Sequence, residues 1–255
     1  MDRWFLLIAT LLAAIGGTWG MLSVHRGTRS HWTVVWMVGV LLCQLGFLSI
    51  RGQLRSACPL QDLGEMLVFL AWSLTLFYLL IGPAYRISLL GVFSAPLVFV
   101  LQTAALIAGL VTTSSTPEFT PNIFHSLHSA TSVLAYGALA LAGVAGIMFL
   151  VLDRQLKIHR LKSGLFRNLP AAHELLVSLE RLLWLGSGLL TIGIIAGFLM
   201  PRTTPLHSHL FMALAVWSGY AVLLAVKTSR GLTGRKLALS AVIMFILSLV
   251  IFARI

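Results

Sequence analysis

Residues 123–152 read IFHSLHSATSVLAYGALALAGVAGIMFLVL, thirty residues without a single Asp, Glu, Lys or Arg. A helix needs about 20 apolar residues to cross the roughly 30 Å of hydrocarbon in a bilayer. Because hydrocarbon offers no hydrogen-bond partner to free backbone groups, a stretch this long and apolar must be an α-helix rather than a strand. The stretch therefore predicts an integral membrane protein.

Seven further apolar stretches of similar length occur in the chain, in which 58% of the 255 residues are hydrophobic and only 10% are charged. The eight predicted spans are residues 4–21, 32–50, 63–81, 89–111, 123–152, 179–200, 206–226 and 237–253. Most connections are short, so neighbouring helices are expected to be antiparallel. We predict an all-α, polytopic membrane bundle of about eight transmembrane helices that forms a single domain over residues 1–255.

The net charge of +11 would suggest nucleic-acid binding in a soluble protein, but the positions of the charges give another explanation. If the N-terminus lies outside, thirteen of the eighteen Lys and Arg residues fall in cytoplasmic segments and five fall outside. The positive-inside rule therefore favours both termini outside, and we expect no nucleic-acid partner. The helix ends assigned to the outside in this way are called the outer ends. The longest predicted connection, residues 153–178, is basic and is expected to lie along anionic headgroups.

The contents of the spans and loops count against ion pumps and ion-coupled transporters, and they give no support to hydrolases or nucleotide-driven pumps. No charged residue lies near the middle of a predicted span, whereas ion pumps and ion-coupled transporters place charges there. The chain has no phosphate-binding glycine loop, no His-Glu-x-x-His pair and no serine nucleophile elbow. Its two cysteines, Cys43 and Cys58, form neither a Cys-x-x-Cys pair nor a haem-attachment motif.

The fifth span carries a polar stripe that starts at its outer end. His125 and His128 lie three residues apart, and His128, Ser132 and Tyr136 follow at four-residue steps, so that the last three share one helix face. A neutral imidazole is a common axial ligand of haem iron. The alternative is that these histidines are amphipathic residues of the headgroup region.

Two more histidines, His207 and His209, lie at the outer end of the seventh predicted span. The fifth and seventh spans both enter from outside, so either residue could pair with His128 on opposite sides of a porphyrin. A b-type electron carrier with a permanently bound haem would use the same pair. Spacing alone leaves these alternatives open.

Asp62 and Glu65 open the third span in the D-x-x-E pattern of a helix capping box. Capping is the simpler interpretation, and ligand or proton chemistry at Glu65 is the alternative.

Five segments together resemble the cytochrome c assembly protein family. Residues 58–73, CPLQDLGEMLVFLAWS, are similar to the family's P-L-x-x-L-x-E-S-L-x-F-L-x-W stretch. The others are GVFSAP at 91–96, HSATSVLAY at 128–136, LERLL at 179–183 with LTIGIIAG at 190–197, and RGLTGR at 230–235, which resembles a G-W-x-G-R turn. The segments cover about residues 58–255 in order, and the first two spans match nothing in the family.

The resemblance implies a protein that handles haem at the outer face of the membrane for attachment to apocytochrome thiols. By motif, His128 would correspond to the family's outer-side haem-iron histidine and Glu65 to the acidic residue of the Pro-Leu stretch. Partners implied are the lipid bilayer, other assembly subunits and apocytochrome c, in the inner (plasma) membrane. A membrane scaffold that never touches haem is the competing hypothesis.

The sequence also departs from the family's haem-attachment subunits. These carry a tryptophan-rich segment in the outer loop that corresponds to residues 201–206, where this chain has no Trp. Where they carry a His after the seventh span, this chain has Lys227 to Arg230, and their final Gly-Leu-His segment has no counterpart. The resemblance is therefore to a short branch without the tryptophan motif, and an accessory role is expected rather than a complete haem lyase.

Overall fold

A computed structural model of the protein describes residues 2–26, 32–55, 58–60, 62–81, 88–111, 123–157, 172–200 and 209–252. Within these ranges every regular element is an α-helix. The helices are α1 (Asp2–His25), α2 (Trp32–Arg55), α3 (Leu63–Ile81), α4 (Ser88–Val111), α5 (Ile123–Lys157), α6 (Ala172–Phe198), α7 (His209–Arg230) and α8 (Gly234–Phe252). The predicted all-α bundle of eight helices is confirmed.

Seven of these helices, α1 to α7, are long and apolar enough to cross a membrane, judged over the described residues. This confirms a multi-pass membrane protein. The helix α8 is not among the seven, so its crossing of the membrane stays a prediction. The placement of both termini outside depends on that crossing and also stays a prediction.

The predicted connection over residues 153–178 is too long, because helix continues into both of its ends. The helix α5 extends to Lys157, whose Nζ lies 2.8 Å from Asp153 Oδ2 one turn earlier. An ion pair at this spacing stabilises a helix that has left the hydrocarbon. At the other side α6 begins at Ala172 with Glu174 in its first turn, where a carboxylate interacts favourably with the helix dipole. Hydropathy alone cannot detect such polar helix ends.

The described residues form two compact units. The first comprises α1–α4 and the first residues of α5, and the second comprises the rest of α5 with α6–α8. In the first unit α1 packs against α2 and α4, while α3 packs against α4 and α2. Glycines on α1 permit the close approach: a Cβ added at Gly20 would lie 3.1 Å from Val92 of α4, and one at Gly16 would lie 3.0 Å from Trp36 of α2.

In the second unit α5 is held against both α6 and α8 by small residues. A Cβ added at Gly143 would lie 3.2 Å from Phe245 of α8, and one at Gly146 would lie 3.1 Å from the carbonyl oxygen of Ala238. The helices α6 and α7 are joined by a hydrogen bond from Trp217 Nε1 to Thr191 Oγ1, at 2.8 Å. The same Cβ at Gly146 would also lie 3.4 Å from Leu179 of α6, so α5 packs against α6 as well as α8.

The turn between α7 and α8 follows directly from its sequence. Gly231 has a φ of +65°, which glycine adopts without the steric cost that a side chain would bring, and its N–H donates to the carbonyl of Lys227 at 3.2 Å. Thr233 then precedes the first residue of α8, and its carbonyl accepts from the N–H of Leu237 at 3.0 Å. The RGLTGR segment is therefore a helix stop followed at once by a helix start.

Candidate functional site

His128 makes a side-chain hydrogen bond that fixes the role of each ring nitrogen. Its Nδ1 lies 2.7 Å from the carbonyl oxygen of Gly193 on α6. A carbonyl oxygen can only accept, so Nδ1 carries the proton and donates it. In the neutral imidazole Nε2 then keeps its lone pair. Histidines that bind metal through one nitrogen commonly donate the other N–H to a backbone carbonyl in this way.

The face of α6 that contacts His128 is made of glycines. A Cβ added at Gly197 would lie 3.0 Å from His128 Nδ1, one at Gly193 would lie 2.9 Å from Ser132 Oγ, and one at Gly186 would lie 2.7 Å from Leu139. The two residue numbers in each of these facing pairs add up to 325, as antiparallel helices in constant register require. The bare glycine backbone is what allows the imidazole to reach the Gly193 carbonyl.

The polar stripe of α5 has a different environment at each step. Ser132 is half-buried one turn below His128 and next to Gly193. Thr131, its neighbour, donates its hydroxyl to the Leu127 carbonyl at 2.6 Å, so that this hydroxyl group is bonded within its own helix. Tyr136 is half-buried another turn further in. The structure therefore places His128 and Ser132 against the same glycine face.

The remaining predicted histidines lie at or before the first turns of α5 and α7. His125 is half-buried in the first turn of α5. His209 is the first residue of α7, which packs against α6, but its side chain lies outside the described part of the structure. His207 lies outside the described residues altogether. A second axial ligand therefore stays a prediction.

Glu65 lies in the first unit and takes part in an ion pair between helices. The carboxylate is buried, with 3% of the side chain exposed, and its Oε1 lies 3.9 Å from Nη1 of Arg51 on α2. The guanidinium of Arg51 also stands 5.7 Å from the centre of the Phe47 ring. The sequence had suggested a capping residue, and the structure adds a buried counter-ion for Arg51 at the outer ends of α2 and α3.

Cys58 precedes α3 and is influenced by the same carboxylate. Burial, and after it the negative charge of Glu65, raise the pKa of the Cys58 thiol above its ordinary value. The thiol is therefore held in its protonated, weakly nucleophilic form.

Two buried amides were not singled out by the sequence. Gln44 and Gln102 are both completely buried within the first unit. The available signal was an uncharged polar residue near the middle of an otherwise apolar span. Neither residue carries a charge, so mid-span charge, the usual mark of a functional residue at that depth, does not identify them.

No group of three or more His, Cys, Asp and Glu residues stands close enough to hold a metal ion, as far as the described ranges extend. His128 offers a single, preorganised nitrogen as a candidate ligand. Haem iron takes four nitrogens from its porphyrin and needs only one or two axial ligands from protein, so this donor set fits haem.

The family model described as cytochrome c assembly protein matches residues 60–253, about three quarters of the chain. The chain belongs to the cytochrome c assembly protein family. This confirms the resemblance found in the sequence and indicates a role in cytochrome c biogenesis. The matched region begins just before α3 and includes both Glu65 and His128, whereas α1 and α2 lie outside it.

Among curated proteins, several named "Cytochrome c biogenesis protein CcsA" are similar to this chain. The protein from Prochlorococcus marinus (strain MIT 9301) is 25% identical over 232 residues, which cover 80% of this chain and 74% of the relative. The protein from Synechococcus sp. (strain CC9902) is 28% identical over 72% of this chain and 70% of its own length. The protein from Chlamydomonas reinhardtii is 26% identical over 78% of this chain but only 58% of its own length.

Proposed function

We propose that this membrane protein binds haem through His128 Nε2 and hands it over during the assembly of c-type cytochromes. The observation that carries the proposal is the 2.7 Å contact between His128 Nδ1 and the Gly193 carbonyl. That contact orients the ring and assigns the proton to Nδ1, which leaves the lone pair of Nε2 available to bind iron. Family membership supplies the process, and the geometry supplies the candidate ligand.

Transfer requires a ligand that is well positioned but not enclosed. His128 is half-buried near the outer end of α5, so haem bound there would lie at the edge of the helix bundle rather than in its core. We propose that the outer face is where haem meets the thiols of apocytochrome c.

A second axial ligand would come from α7. His209 is the first residue of that helix, and α7 packs against α6, the helix that holds His128 in place. His207 is the alternative ligand. We propose that one of the two would complete the coordination of the haem iron.

The proposal is for an accessory protein that works with other assembly subunits in the inner membrane. Residues 201–206 hold no Trp, so the aromatic surface that the family's haem-attachment subunits provide must come from a partner. Haem supplies the vinyl groups that react with cysteine thiols, whereas the residues of this chain orient the iron.

A visible spectrum with matched histidine variants tests the ligand. The protein purified in detergent and supplied with haem is expected to show a Soret band that weakens strongly in His128→Ala. The control is His173→Ala, because His173 is exposed in the first turn of α6, at the opposite end from His128. Adding free imidazole to His128→Ala should restore the band, because a small ligand can occupy the space left by the side chain. A band unaffected by His128→Ala would refute the assignment.

A complementation assay separates haem handling from a scaffold role. A strain lacking the gene should lose c-type cytochromes in a haem-stained gel, and His173→Ala should restore them. If His128→Ala restores them equally well, the protein serves as a scaffold and the haem proposal is wrong.

A further inference from the structure

A layer of uncharged polar side chains crosses the interior of the first unit. On the side toward the outer ends, the layer is bounded by an apolar cluster of buried residues from α1, α2, α3 and α4. The cluster comprises Leu6, Phe47, Leu48, Val68 and Ala105. The Arg51–Glu65 pair lies one turn from this cluster toward the outer ends, since Arg51 follows Leu48 by three residues and Glu65 precedes Val68 by three.

One turn from the cluster in the opposite direction, each helix contributes a polar residue. Thr10 follows Leu6 by four residues, Gln44 precedes Leu48 by four, Trp72 follows Val68 by four, and Gln102 precedes Ala105 by three. Because α1 and α3 run opposite to α2 and α4, all four steps go the same way, about 4.5–6 Å inward. We call Thr10, Gln44, Trp72 and Gln102 the polar layer.

The polar layer lies about halfway through the membrane-spanning length. Trp72 is nine residues from the start of α3 and Gln102 is nine residues from the end of α4, which is about 14 Å along each helix. Half of a hydrocarbon core is about 15 Å thick. Bulk water cannot reach polar groups at this depth.

Most hydrogen-bonding groups of the polar layer have no partner among the described residues. Both polar atoms of Gln44 and both of Gln102 are buried without a hydrogen bond, and so is the indole nitrogen of Trp72. Thr10 already donates its hydroxyl to the Leu6 carbonyl at 2.7 Å, which leaves its oxygen as an acceptor. Leaving such groups unpaired in an apolar interior is unfavourable, because they lose the hydrogen bonds that water gives them in the unfolded chain.

The chemistry of the layer selects a small neutral ligand. The two amides and the indole present five N–H donors, and the amide and hydroxyl oxygens present a similar number of acceptor positions. None of these groups carries a formal charge, so the layer favours neither an anion nor a cation. Water offers two donors and two acceptors and can bridge several groups at once. We propose that the polar layer binds one or more water molecules that bridge Gln44, Gln102 and Trp72.

Radiolytic footprinting tests this site directly. Short X-ray pulses generate hydroxyl radicals from water, including bound water, and these radicals oxidise adjacent side chains, which mass spectrometry then locates. In the protein reconstituted in lipid nanodiscs, Trp72 is expected to be oxidised several-fold faster than Trp217. The comparison is matched, because Trp217 is a partly buried indole whose N–H is bonded to Thr191 within the protein.

The double variant Gln44→Leu/Gln102→Leu should lower the oxidation rate of Trp72 to that of Trp217. The control Gln53→Leu removes an exposed amide near the end of α2 and should leave the rate unchanged. An unchanged Trp72 rate in a folded double variant would overturn the proposal. If the double variant does not fold, equal rates for Trp72 and Trp217 in the unaltered protein would overturn it equally.

Discussion

Replacing Gly197 with alanine tests whether the glycine face positions His128. The added Cβ would lie 3.0 Å from His128 Nδ1 and 3.3 Å from its Cε1, so the imidazole must move by a few tenths of an ångström. The ring is anchored by the 2.7 Å bond to Gly193, and this bond must lengthen or bend as the ring moves. A hydrogen bond of this kind contributes about 1 kcal/mol, so haem affinity should fall about fivefold.

The matched control is Gly188→Ala, on the same helix. A Cβ added at Gly188 meets no atom within 4 Å, so the same substitution changes no contact there. Alanine is favoured over glycine inside a helix by about 1 kcal/mol, and thermal stability should stay the same or rise. This control measures the effect of one added methyl group on α6 itself, without any contact between that group and His128.

Haem titrations followed at the Soret band give both dissociation constants, and thermal melting reports folding. The iron–imidazole stretching frequency in resonance Raman spectra should shift in Gly197→Ala and stay unchanged in Gly188→Ala. Equal haem affinity and an unshifted frequency in a folded Gly197→Ala protein would refute the reasoning that the glycine face sets the ring position.

Two further predictions concern the outer ends of α2 and α3. Glu65→Leu should lower the free energy of unfolding by about 2 kcal/mol, because it leaves Arg51 without its 3.9 Å counter-ion. Thermal melting should show that adding Arg51→Met to this variant restores most of the loss. No recovery would contradict the pairing. Glu65→Gln should speed alkylation of Cys58 at pH 8. Removing the negative charge lowers the raised pKa of that thiol and so increases its thiolate fraction. An alkylation rate that is unchanged or lower would exclude this effect of Glu65.

The number and type of the helices could be predicted from the sequence, because crossing hydrocarbon imposes a length and an apolar composition. Predicted and observed bounds agree for α3, at residues 63–81. The start of α6 at Ala172 was missed by seven residues. A hydropathy criterion stops at the first polar residues, whereas a helix continues into the headgroup region wherever charged side chains can reach water.

The candidate ligand could be predicted as a residue type at a helix end, but its orientation could not. Nothing in the spacing of His128, Ser132 and Tyr136 indicates which helix they face. That depends on the glycines of α6, about 60 residues later in the chain, whose packing partners only the folded structure reveals. The pairing of Glu65 with Arg51 was missed for the same reason, since it joins two helices.

The constant register between α5 and α6 limits how this sequence can change in length. Inserting or deleting one residue inside either helix rotates everything beyond it by about 100°, which would turn the glycines away from the residues they face. A change of length in the connecting residues 158–171 alters none of the facing pairs. Insertions and deletions during evolution are therefore expected to collect in that connection, which also makes it the natural place to insert an epitope tag for detecting the protein.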